Sequence, residues 1–207
     1  MDPLSLGVFL LLLALVVVVL GSILASVAFG KGDLAGDELL RQLQRRRGGQ
    51  LRTIAPGRRM LEIPRGDGTL LVGSWLASDV GYQGPQPSFN VRWRAEQTST
   101  LPPFRLVERL PHAGGTTVLG QRASAPDLEL AGRPLELFVP EDLAEADEVR
   151  IRSALSSYLG LLPADQVPIV EIGHSGQVSS CRYRTAIATV EQAETLINAT
   201  MDCFERL

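Results

Sequence analysis

The sequence predicts an α+β protein: one N-terminal transmembrane helix, then a β-rich soluble domain in which an antiparallel sheet of five to eight strands carries two or three packed helices. Three observations lead there. From Pro3 to Gly30 there is no charged residue. The middle of the chain breaks into short apolar runs separated by proline and glycine. Two late segments switch to helical spacing, which a single antiparallel sheet accommodates on one of its faces.

The apolar run divides the chain into an anchor (1–30), a juxtamembrane linker (31–36) and a soluble domain (37–207). About 20 apolar residues cross a bilayer as a helix, and a soluble helix of this length would show a polar face. A cleaved signal peptide is the competing reading, since Leu24-Ala25-Ser26-Val27-Ala28 has the small residues of a cleavage site. Such a peptide needs a basic start and an apolar stretch of roughly 7–15 residues. Here the start is Met-Asp-Pro and the run is longer, so a retained signal anchor is expected. Residues 31–59 carry eight basic groups, Lys31 and seven arginines, against Asp33, Asp37 and Glu38. The positive-inside bias then places the domain on the cytoplasmic side of the cell (inner) membrane.

Along the domain, Asp37 offers an N-cap, Leu39, Leu40 and Leu43 an apolar stripe, and Gly48-Gly49 a stop. The Arg45–Arg47 run at that helix end complements the helix dipole; Arg45, Arg46 and Arg47 are also candidates for contact with anionic lipid headgroups. Strands are expected at 69–77, after the turn Arg65-Gly66-Asp67-Gly68, at 88–94, at 104–110 and at 134–139, with 121–127 as loop. In Ser88–Arg94 the apolar Phe89, Val91 and Trp93 alternate with Asn90, Arg92 and Arg94, giving one buried face and one wet cationic face. Arg92 and Arg94 are therefore the candidates for a partner-facing strand. Glu141-Asp142 open a helix striped by Ile151, Ala154, Leu155, Tyr158 and Leu159 and ended by Gly160 and Pro163. A hairpin follows, 167–172 and 177–184 about a turn at Gly173–Gly176. Thr189-Val190-Glu191-Gln192 fits a capping box for the last helix, whose buried face is Ala193, Leu196, Ile197, Thr200 and Phe204 with Cys203 at its edge.

Composition excludes several functions. Net charge is −3 and 19 of the 20 basic residues are arginine; no strongly basic footprint for nucleic acid exists. Residues 127–148 hold eight acidic groups and only Arg133, so the chain is charge-split, with an acidic block that can keep the surface soluble or receive a basic partner. Cys181 and Cys203 are too few for a disulfide framework or a zinc site and read as half-buried free thiols, one bridge staying open in an oxidising compartment. His112 and His174 have no ligand at metal spacing. Gly173-His174-Ser175-Gly176 lacks the last glycine of a nucleophile elbow, since position 177 is Gln. No P-loop or dinucleotide fingerprint is present. No catalytic residue, metal or cofactor is expected, and the chain reads as a non-enzyme.

The segments 132–161 (GRPLELFVPEDLAEADEVRIRSALSSYLGL), 169–184 (IVEIGHSGQVSSCRYR) and 189–207 (TVEQAETLINATMDCFERL) resemble, in layout, a diffuse group of uncharacterised bacterial single-pass membrane proteins with a C-terminal α+β domain. The resemblance implies a membrane-bound domain and no catalytic chemistry. The function expected is a membrane-tethered interaction or scaffolding module, an accessory subunit of a membrane complex, whose partners are the bilayer and a protein in or at it. A lipid- or small-ligand-binding domain at the membrane surface, and an enzyme with an unrecognised site, are the alternatives.

Overall fold

The computed structural model describes residues 36–56, 58–77, 86–97, 100–108, 120–130, 133–162 and 169–207. The expected anchor, nearly all of the linker, His112 and Pro163 lie outside them. Among the described residues no helix is long and apolar enough to cross a membrane.

Among the described residues nine strands form one sheet, more than the five to eight expected: β1 (Gln50–Ala55), β2 (Arg58–Arg65), β3 (Gly68–Ala77), β4 (Gln86–Ala95), β5 (Phe104–Glu108), β6 (Gln121–Leu130), β7 (Arg133–Pro140), β8 (Ile169–Ser175) and β9 (Val178–Tyr183). Their spatial order is β1-β2-β3-β4-β9-β8-β5-β7-β6, and every pairing is antiparallel. Three helices among the described residues, α1 (36–47), α2 (Glu145–Leu161) and α3 (Val190–Arg206), make the fold α+β.

The strands beyond expectation have physical causes. β1 and β6 are the two sheet edges, where one face and one flank meet water and the apolar alternation is weak. Residues 121–127, expected as loop, are most of β6; its polar composition is that of an edge, and its pairing with β7 is irregular between Ser124 and Leu128, as edge strands often are. Pro64 in β2 lies past Gln50, the last β1 residue paired, so its missing N–H withdraws no bond from that ladder.

Two boundaries also differ. The β8–β9 turn is Gly176-Gln177, since Ser175 pairs with Val178; Gly176 takes the positive φ of 62° that a two-residue hairpin requires. Gly173, His174 and Ser175, expected as turn, belong to β8 instead. α2 begins at Glu145 after a turn at Glu141-Asp142, and Asp37, expected as a cap, lies inside α1 and pairs with Arg59 at 3.1 Å. At α3 half of the box forms: Thr189 accepts from the Gln192 N–H at 3.2 Å, while Gln192 accepts from the N–H of Ala188, one residue before the cap, at 3.1 Å.

Cross-strand partners share a face. Leu51, Leu61, Val72, Val91, Cys181, Ile172, Leu106, Leu137 and Ser124 stand opposite one another in a row across all nine strands. The apolar members of this row belong to the core or pack against it, together with Leu40 and Leu43 of α1, Ile151, Leu155 and Tyr158 of α2, and Ala193, Leu196 and Ile197 of α3. All three helices therefore cover one face of the sheet. The other face carries the alternate residues.

Candidate functional site

That second face is built by alternation. On β4, Phe89 and Val91 point into the core with no exposure, which sends Asn90, Arg92 and Arg94 outward; on β9, Cys181 and Tyr183 point in, which sends Ser180 and Arg182 outward. Register sets Arg92 opposite Ser180 and Asn90 opposite Arg182. Directly opposed residues have Cβ atoms about 5 Å apart and diagonal ones roughly 7–8 Å, so the Arg92 and Arg182 guanidiniums flank an amide and a hydroxyl.

Around this quartet lies an open groove of about 460 Å³, lined also by Arg58, Trp75 and Glu171. Next to Asn90 in the same cross-strand row is Gly73. Its missing side chain leaves the space that the Trp75 ring occupies: a Cβ on Gly73 would sit 2.0 Å from that ring. The Arg58 guanidinium in turn lies 5.8 Å from the Trp75 ring centre, so β2 and β3 supply an aromatic wall topped by a cation. Opposite, Glu171 bonds Arg105 at 2.8 Å and stands 3.6 Å from Arg182, so one carboxylate is shared by two guanidiniums. Arg92 and Arg94 are exposed. Arg94 lies one pleat further along β4, beside Arg52, Glu62 and Thr69.

The three arginines of α1 are placed differently. Arg46 pairs with Glu191 and, at 3.2 Å, with Glu194. Arg47 reaches Glu194 at 3.5 Å and the Asn198 amide oxygen at 2.7 Å, and Arg45 pairs with Glu38 at 3.3 Å. Two of the three thus dock α1 on α3, and a headgroup would compete with carboxylates already in place.

Reactive side chains also gather on the helix side, away from water. Tyr158 of α2 bonds Tyr183 of β9; Thr200 of α3 lies 2.6 Å from the Tyr183 hydroxyl, and the Cys181 thiol 3.5 Å from that of Tyr158. Burial raises both phenols well above their usual range and pushes the Cys181 thiol to about 11 and Cys203 to about 12. Both cysteines are free, and fully rather than half buried. Groups held neutral in a sealed core are hydrogen-bonded packing, since thiolate and access are what reactivity needs. Nδ1 of His174 lies 2.8 Å from the Ser179 hydroxyl, both buried; burial holds the imidazole below its usual value. Among the described residues no group of three or more His, Cys, Asp and Glu side chains is arranged to hold a metal ion.

The β4 alternation already singled out Arg92 and Arg94 in the sequence. Asn90, expected on the same wet face, is buried there; Arg58, Trp75, Ser180 and Arg182 were not singled out, because strand pairing, across some 90 residues for β4 and β9, brings them together. The alternation of VSSCRY in β9 is the one local signal that carried half of the quartet. No family model matches the chain, and no curated protein or solved structure shows significant similarity to it.

Proposed function

We propose that this protein is a membrane-tethered interaction module that presents the helix-free face of its sheet to an acidic partner protein at the membrane. One observation carries the reading: all three helices lie on one side of the nine-stranded sheet, while the other side displays Arg58, Arg92, Arg94, Arg105 and Arg182 around an open groove. Clustered guanidiniums favour carboxylate-bearing partners and steer them on approach. The tether is argued from the uncharged run 3–30, and the cytoplasmic side from the arginine-rich flank behind it. A reporter fused after Leu207 is then active in the cytoplasm, and activity on the opposite side of the membrane contradicts that orientation. Lipid contact through Arg45–Arg47 is the weaker reading, since those side chains already hold Glu38, Glu191, Glu194 and Asn198.

The test is mild crosslinking of the full chain in its membrane, solubilisation and mass spectrometry, with R92E/R94E run alongside. The wild type yields a reproducible partner and the charge-reversed protein loses it. A partner retained equally by both removes the arginine face from the interaction.

A further inference from the structure

We propose that the groove over β4 and β9 is a binding site for a phosphate monoester, with Arg92, Arg182, Ser180 and Asn90 as the groups that take the phosphoryl oxygens. Binding of such a ligand is read in the chain alone, and a partner docked on Arg92 would compete with it.

The donor set is what selects the ligand. Two guanidiniums, one hydroxyl and one primary amide stand on two adjacent strands, opposed in pairs. Each guanidinium offers a planar fork of N–H groups, and Ser and Asn add donors between the forks. A planar carboxylate is satisfied by one fork; a tetrahedral oxyanion with three terminal oxygens can be approached by both, with Ser180 and Asn90 completing its coordination. Asn90 is only 3% exposed, and its amide nitrogen donates to the Ser88 hydroxyl at 3.1 Å, so its orientation is fixed before any ligand arrives.

Charge points the same way. Arg58, Arg92 and Arg182 line the groove, and among its described lining residues Glu171 is the one carboxylate. Like charges gathered on a partly enclosed surface repel one another, and a bound dianion relieves that repulsion. The groove, at about 460 Å³, is wide enough for a small organic group beyond the phosphate, which would lie against the Trp75 edge.

The phosphoryl group could belong to a soluble metabolite or to a lipid headgroup, and the experiment separates them. The full chain is reconstituted in phosphatidylcholine nanodiscs and titrated calorimetrically with glycerol 3-phosphate, with glycerol as the control lacking only the anion. Saturable binding of one glycerol 3-phosphate per chain is expected, with glycerol silent. R92Q weakens it about tenfold or more, the loss typical of a charge-assisted contact, and S180A weakens it less; R41Q, on the helix side, leaves it unchanged. Arg92 is exposed, so circular dichroism should show R92Q folded as the wild type. In parallel, the nanodiscs are mixed with sucrose-loaded vesicles containing phosphatidic acid. Vesicle capture that needs Arg92 and is reversed by glycerol 3-phosphate identifies a headgroup; binding of the soluble ester without capture identifies a metabolite. The proposal is overturned if wild type binds neither, or if R92Q binds as tightly as wild type.

Discussion

Several of the buried polar side chains in this domain come in bonded sets that join one element to another. Tyr158, Tyr183 and Thr200 tie α2, β9 and α3 through hydroxyl groups alone, which holds both helices in register on the sheet without burying a charge. His174 and Ser179 do the same across the β8–β9 hairpin. The His174 imidazole has a folded pKa below its usual 6.5 because burial disfavours its charged form. Between those two values the unfolded chain holds a proton that the native state refuses. Stability therefore falls as pH drops through 6.5 and levels off once the folded value is passed. Urea midpoints taken across that range should fall for the wild type and fall less for His174→Gln, and parallel profiles would remove His174 from the acid response. At the groove the decisive residue is the smallest: only a glycine at position 73 leaves Trp75 where it is.

At the scale of elements, α1 shows how a short helix is held. Leu40 and Leu43 are fully buried, while Arg46 and Arg47 reach α3 carboxylates at the surface. Exposed ion pairs contribute little, so the leucines carry the docking. Leu40→Ala should cost about 2–5 kcal/mol, read as a lower urea midpoint, whereas Arg46→Gln should shift it far less; the reverse ranking would mean that charge, not packing, holds the helix. Much of this level was legible beforehand. The stripes of α1 and α2, most of that of α3, the Thr189 cap and the strands at 69–77, 88–94, 104–108 and 134–139 follow from local sequence. On α3, however, Phe204 is only half-buried while Met201 and Cys203 join the core. β1 and β6 escaped because an edge strand buries too little to force alternation, and the inner strand β2 escaped because Met60 and Leu61, on opposite faces, are both buried and mask its period of two. The β8 turn slipped because Gly173 and Gly176 both look like turn residues, and only the register with β9 decides between them.

Over the whole molecule, strand order turns a linear charge pattern into a spatial one. The basic segment 31–59 includes α1, β1 and the start of β2, and the acidic segment 127–148 ends β6, forms β7 and opens α2. β1 and β6 are opposite edges, eight inter-strand steps and roughly 38 Å apart at the usual spacing. A domain held through its basic end beside an anionic bilayer would turn its acidic end away. Helices cover one side of the sheet, so a partner docking on the sheet itself would meet the arginine side. The most direct test places a photoreactive amino acid at position 94, on the open face, or at position 156, exposed on the helix side, in the full chain in its native membrane. The account predicts a discrete partner adduct from position 94 and none from position 156. Adducts from 156 alone, or equally from both, would contradict it.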